Sequence, residues 1–247
     1  MDSRQSVALE SRPVAVWPPD DTEESVLGTN LHQTTITNLR WGLNEAALAT
    51  ITPEQAPRWQ ALGQTMITGF RHPDGSSYTV LPDIFVYRQP IDEERQSLSR
   101  ALDGPPLLII EVASESTYQS NLDLVRGKGF SYADGGVQEY LVLDPMGKYV
   151  PEGVRAWRLQ EGSYTTWPPE PSGAWKSREI PVLIALEGAR AAVYTADGRR
   201  QLREGEVNRQ LERTRQEYAD ELERAHREHA AELAELRRQI DELRRGR

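Results

Sequence analysis

The sequence predicts an α/β domain with a central mixed β-sheet flanked by helices, followed by one long C-terminal helix. Three observations carry this. Leu107–Ala113 (LLIIEVA) and Glu139–Leu143 (EYLVL) are nearly continuous apolar runs, the signature of strands buried on both faces. Between them, Leu122–Asp134 suits a helix that Gly135-Gly136 stops, and strand, helix, strand in that order implies a βαβ unit. From Glu204 to Arg245 the chain has no proline and a single glycine, Gly205, with apolar positions at a regular interval.

Residues 1–21, rich in Pro, Asp and Ser, are expected to be disordered. Thr22 followed by Glu23 and Glu24 reads as a helix start, with acid facing the positive helix end. Val26, Leu27, Leu31, Thr35 and Leu39 then recur at helical spacing, so a helix is expected to about Leu48, with Pro53 and Pro57 beyond it. Thr65–Phe70 and Tyr78–Tyr87 read as strands of a hairpin turning at His72-Pro73-Asp74-Gly75, and a polar insertion follows from Gln89 to Gly104. Shorter strands are expected at Val154–Leu159, Ser163–Trp167, Ala174–Ile180 and Ala191–Thr195. The six tryptophans are scattered and read as packing residues rather than base-stacking ones.

The tail follows another rule. Leu211, Leu222 and Leu233 are spaced at eleven residues, as are Val207, Tyr218, His229 and Ile240, and as are Thr214, Ala225 and Leu236. An eleven-residue repeat has about 3.67 residues per turn, which keeps the stripe nearly straight. Such a narrow seam gives a lone helix little stability in water, so residues 204–247 are expected to form a coiled coil that makes the chain a homodimer; the alternative is a solvated single helix held by its Glu–Arg pairs.

Composition narrows the function classes. With no cysteine among 247 residues, disulfides and thiolate metal sites are excluded, so a metal must be held by carboxylate, carbonyl, imidazole or water. No apolar run approaches the roughly 18 residues that cross a bilayer. The N-terminus lacks a basic start followed by an apolar stretch, so the expectation is a cytoplasmic protein with no membrane partner. A net charge of −9 argues against a protein that coats nucleic acid, yet an acidic enzyme can act on DNA through a local basic rim and bound divalent ions.

The chemistry sits in the centre of the chain. Glu111 interrupts an apolar strand, where a carboxylate is costly to bury without a metal or a cation; alone, it could also reach solvent or pair with an arginine. Asp83 opens another apolar strand after Pro82, a residue tolerated at strand starts, bulges and edges. Alone it could be a turn-forming aspartate, but beside Glu111 it would complete a hard oxygen site suited to Mg²⁺ or Mn²⁺. Lys128 reads either as a solvated helix lysine or as an ammonium aimed at that site. His32, on the first helix, reads either as a packing histidine or as an imidazole of the active site.

These residues carry a resemblance. Pro82-Asp83, Glu111-Val112-Ala113-Ser114, Asp123, Lys128, Tyr132, Gly136-Val137-Gln138-Glu139-Tyr140 and Asp144-Pro145 together resemble the Uma-type restriction endonuclease family of the PD-(D/E)XK nuclease superfamily. The early Gly28 and His32 fit that family's first helix, and the likeness spans about residues 26–195. It implies a restriction-endonuclease-like core over residues 22–200 and metal-dependent phosphodiester hydrolysis. Asp83 and Glu111 would hold Mg²⁺ or Mn²⁺, Lys128 and His32 would complete the catalytic set, and nucleic acid, DNA foremost, would be the substrate. Ser114 and Tyr132 are expected as supporting hydrogen-bonding groups, Asp144 as a turn or strand cap, and Glu139 in either role.

Two positions depart from the superfamily pattern. Ala113 stands where the superfamily places its lysine, two residues after the second acid, so the resemblance implies that Lys128 supplies the ammonium from the next helix. Asn121 stands where an acid is common before that helix. Two alternatives stay open: a catalytically weak descendant that binds nucleic acid or a partner, and an adaptor whose purpose lies in the tail.

Overall fold

The computed structural model describes residues 23–49, 58–92 and 95–245. The expected disorder of residues 1–21, the cap at Thr22 and the stops at Pro53 and Pro57 lie outside them. Helix α1 (Glu23–Leu48) matches the span that its periodicity predicts. The strands of the central sheet are β1 (Gln60–Leu62), β4 (Ile84–Tyr87), β6 (Leu108–Val112), β7 (Glu139–Leu143), β8 (Val154–Gln160) and β9 (Ser163–Thr166), hydrogen-bonded in that order. All pairings are antiparallel except β6 with β7, whose parallel register sets Leu108 against Glu139 and Glu111 against Val142. This is the βαβ unit of the sequence, in a mixed sheet flanked by helices.

Every residue of β4, β6 and β7 is buried, because the sheet is covered on both faces. Alternate side chains sort into two cores. Ile84, Val86, Leu108, Ile110, Val112, Leu141 and Leu143 pack with Ile36, Leu39 and Leu43 of α1. The small sheet of β10 (Trp175–Lys176), β11 (Val182–Glu187) and β12 (Arg190–Thr195) closes that side through Val182, Ile184 and Val193. On the opposite face, Phe85, Ile109, Tyr140 and Val142 pack with Tyr132 and with Ile67, Phe70, Val80 and Leu98. Those last four come from a third sheet, β3 (Ser77–Val80), β2 (Met66–Arg71) and β5 (Ser97–Ser99), in that order.

Several elements differ from their sequence-based expectation. The single strand Tyr78–Tyr87 is two, because the chain leaves the small sheet after Val80 and enters the central one at Ile84. Pro82, with no N–H to donate, sits in the break. Of the expected helix Leu122–Asp134 only α4 (Lys128–Asp134) forms, and a separate short helix, α3 (Tyr118–Leu122), precedes it. The carboxylate of Asp123 accepts the N–H groups of Val125 and Arg126 at 2.8 Å each, an alternative to the helical ladder that stops α3. The expected strand Ala174–Ile180 shrinks to β10, and β11 after Pro181 is an additional strand. The polar insertion carries β5 and the short helix α2 (Arg100–Asp103).

Helix α5 (Glu204–Arg245) is a single 42-residue helix. Its first turn is clasped to the β11–β12 hairpin by ions of alternating sign. Arg200 pairs with Glu187 and Glu206 at 2.9 Å each, and Arg203 pairs with Glu187 at 2.7 Å and Glu206 at 3.0 Å. Beyond the clasp, Leu211, Tyr218, Leu222, Leu233, Leu236 and Ile240 lie exposed along the helix. The tail is therefore one helix with an uncovered apolar stripe. No helix among the described residues is long and apolar enough to cross a membrane.

Candidate active site

The antiparallel register of β4 and β6 pairs Ile84 with Ile110, so the next step outward sets Asp83 opposite Glu111. Residues opposite one another on adjacent strands share a face, which is how two carboxylates 28 positions apart come together. The backbone N–H of Val112 donates to Asp83 Oδ2 at 2.8 Å and fixes the aspartate on the end of β6. Behind it, Gly63 lies so close that a Cβ would stand 2.6 Å from the Asp83 carbonyl oxygen. Gln64, at a positive φ of 55°, donates its N–H to the Pro82 carbonyl at 3.3 Å.

Helix α4 approaches from the second core. Lys128 and Tyr132 are one helical turn apart and so share a face. Both converge on one oxygen of Glu111: Lys128 Nζ donates to Oε1 at 3.0 Å, and the Tyr132 hydroxyl donates to the same atom at 2.5 Å. From the other side of the sheet, His32 of α1 reaches the strand end, with Nε2 3.2 Å from the Val112 carbonyl and 3.5 Å from Asp83 Oδ2. Both neighbours of Nε2 are acceptors, so this nitrogen carries a hydrogen and donates.

The electrostatics follow from burial and pairing. Glu111 is 1% exposed, and burial pushes its carboxyl up to about 7; the neighbouring Asp83 charge adds to the rise and Lys128 opposes it. Burial acts on Asp83 in the same direction, but hydrogen bonds from His32 and Val112 outweigh it and hold the carboxyl below the usual range. The same bond from Asp83 raises the His32 imidazole above its ordinary value against its own burial.

Four residues singled out in the sequence, Asp83, Glu111, Lys128 and His32, thus stand around one strand end. The other candidates stand elsewhere or support them. Ser114 turns towards Thr117, with the hydroxyls 2.7 Å apart, at the start of α3. Asp144 accepts the N–H groups of Met146, Tyr149 and Val150, which makes it a loop cap. Glu139 is buried on the opposite face, held by Arg158, by the hydroxyl of Ser177 and by the N–H of Arg178. Asn121 is buried in α3; its side-chain nitrogen reaches Thr117 at 3.4 Å and its side-chain oxygen has no hydrogen-bond partner. An aspartate there would bury a charge. Tyr132 stands in direct contact with Glu111, and the sequence signal for that is its spacing of four from Lys128. Gly63 carried no sequence signal, because its role is to make room for a segment distant in sequence.

Among the described residues, no group of three or more His, Asp or Glu side chains could hold a metal ion by itself. Two carboxylates still fit Mg²⁺ or Mn²⁺, which take one or two protein carboxylates and fill the remaining positions with water and substrate oxygen. Asp83 Oδ1 and Glu111 Oε2 accept no hydrogen bond among the described residues, so each acid has an oxygen to offer.

Among comparisons with known proteins, a family model shows the family. The family model Uma2, described as "Putative restriction endonuclease", matches residues 28–223. No curated protein matches the chain. A solved structure described as a "putative nuclease belonging to DUF820", from Anabaena variabilis, is similar at 17% sequence identity with a TM-score of 0.33, covering 57% of this chain and 73% of that one.

Proposed function

The chain belongs to the Uma2 family, described as "Putative restriction endonuclease", and from that premise we propose that it is a metal-dependent endonuclease acting on DNA. The observation that carries this reading is the convergence of Asp83, Glu111 and the Lys128 ammonium at the end of β6. Asp83 and Glu111 would hold Mg²⁺ or Mn²⁺, which when bound would supply a Lewis acid and an acidified water. The added charge of a bound ion, beside that of Lys128, would favour the ionised form of Glu111. Lys128 orients the attacking water and offsets the negative charge that develops on the phosphoryl oxygens. Tyr132 keeps the Glu111 carboxylate in one orientation, and His32 does the same for Asp83.

The second part of the proposal is a homodimer, in which the exposed stripe of α5 is covered by the same stripe of another copy. A 42-residue helix with six large exposed apolar side chains among its described residues gains nothing from those side chains in isolation.

Titration calorimetry with Mn²⁺, run beside a plasmid-cleavage assay, tests the catalytic reading. Wild type is expected to bind the ion and to nick or linearise DNA. Asp83→Asn and Glu111→Gln are expected to lose both properties while staying folded. Unchanged Mn²⁺ affinity in both variants overturns the metal site. A wild-type protein that binds DNA and never cleaves it would support the binding-module reading instead.

A further inference from the structure

We infer that Gly127 is the positioning residue for Lys128: its missing side chain sets where the ammonium stands relative to Glu111. The inference rests on the proposed role of Lys128 and adds the device that places it. Gly127 caps α4 in an extended conformation at negative φ, φ −97° and ψ −158°, so the requirement for glycine here is argued from space. A Cβ at this position would stand 2.3 Å from the Ser120 carbonyl oxygen and 2.9 Å from both the Cβ and the carbonyl oxygen of Asp123. Two of these three are backbone atoms, which cannot swing aside as a side-chain tip can.

The wall that Gly127 leans on is fixed from behind. The Tyr140 hydroxyl, on β7, donates to the Asn121 carbonyl of α3 at 2.7 Å. Tyr118, also on α3, stacks on Tyr149 with ring centroids 4.6 Å apart. A side chain at 127 would therefore displace the first turn of α4 rather than α3. Lys128 is the first residue of that turn, and the 3.0 Å bond to Glu111 is the contact that would be lost.

Gly129 makes a weaker version of the same approach. Its Cβ would meet Leu124 Cδ2 at 2.5 Å, a flexible tip, and the Leu124 Cα at 3.1 Å. Gly-Lys-Gly is thus a lysine flanked by two points of close helix–turn contact, the first rigid and the second yielding.

The chain has only three lysines, Lys128, Lys148 and Lys176, so a lysine footprint reads the site directly. Full-length protein would be treated with trace acetic anhydride and the acetylation of each lysine quantified by mass spectrometry, with Lys148 and Lys176 as internal references. Lys128 is expected to be the most protected in wild type. Gly127→Ala should raise its relative reactivity about tenfold, as should Glu111→Gln, because each breaks a buried ion pair. The double variant Gly127→Ala with Glu111→Gln should add nothing further, which a general loosening of the fold would not reproduce. Unchanged protection in folded Gly127→Ala, or effects that multiply in the double variant, overturns the inference. If Gly127→Ala does not fold in buffer alone, the footprint is repeated in an osmolyte that favours the compact state, where Lys128 protection at the wild-type level overturns the inference. The footprint needs neither metal nor nucleic acid, so a wild type that never cleaves would remove the nuclease reading and leave this result standing.

Discussion

His32 and Asp83 meet at 3.5 Å across the end of β6, although α1 packs on one face of the sheet while Lys128 and Tyr132 hold Glu111 from the other. The site is therefore a junction between the two cores. Its protonation state is tied to the stability of the whole sheet.

That linkage gives a pH dependence with a definite sign. His32 is raised above 6.5, so its contribution is full below that pH and is lost as pH rises through the raised value. Glu111, raised from 4.5 to about 7, favours its neutral form in the fold, so stability is lost as pH rises across that interval. Asp83 has the opposite sign: its contribution is present above 3.8 and is lost as pH falls through its lowered value. The metal-free protein should be most stable near pH 4, between the ordinary values of Asp83 and Glu111, and lose stability towards pH 8, mainly through Glu111. Thermal melts across that range should slope downward in wild type and flatten in Glu111→Gln. Saturating Mn²⁺ should raise the melting temperature most at the alkaline end. A wild-type melting temperature that climbs from pH 5 to pH 8 would refute the assignment.

Lys128 should separate chemistry from binding. Lys128→Ala is expected to lower turnover by roughly two orders of magnitude or more while metal affinity stays within a few-fold, as for a group acting on the transition state. Lys128→Arg should rescue poorly, since a guanidinium is broader and its charge is spread over a plane. Single-turnover cleavage beside Mn²⁺ calorimetry makes the measurement. Wild-type rates in Lys128→Ala would show that another group supplies the positive charge.

Gly63 should show the reverse pattern. A methyl group 2.6 Å from the Asp83 carbonyl must push that segment outward. Gly63→Ala is expected to cost about 1–3 kcal/mol of stability through overpacking. It should also weaken Mn²⁺ binding roughly 10-fold or more, the usual penalty for misplacing a ligand through its support. Chemical denaturation gives the first number and calorimetry the second. A destabilised variant with wild-type metal affinity would show that Asp83 does not depend on this contact.

The tail prediction divides at the clasp. Truncation after Gln210 keeps Glu206 with Arg200 and Arg203 and should leave a folded monomer. Truncation after Arg203 removes Glu206, leaves Arg200 and Arg203 dependent on Glu187, and should reduce stability by about 1 kcal/mol, the order of a partly exposed ion-pair network. Leu222→Asp combined with Leu233→Asp should abolish dimerisation in the full chain, because charge would enter the seam. Light scattering at micromolar concentration decides: a monomeric wild type would end the dimer proposal without touching the catalytic one.

The sequence by itself determined the elements whose pattern is local. Continuous apolar runs marked β6 and β7, helical periodicity marked α1, and the unbroken eleven-residue repeat marked α5, because burial on both faces or along one stripe leaves its period in the chain. The family was legible too, in the spacing of Pro82-Asp83, Glu111, Lys128 and Tyr132. What only the tertiary structure decided is which polar residues meet. Glu111 and Glu139 are each a carboxylate in an apolar strand, and nothing local separates them. Strand order and register put Glu111 beside Asp83, Lys128 and Tyr132, and put Glu139 on the opposite face in a closed network with Arg158 and Ser177. The same holds for the breaks at Pro82 and Gly127, which hand β4 to the central sheet and bring Lys128 to Glu111. They depend on contacts between segments far apart in the chain, and such contacts leave no periodic trace in the residues that make them.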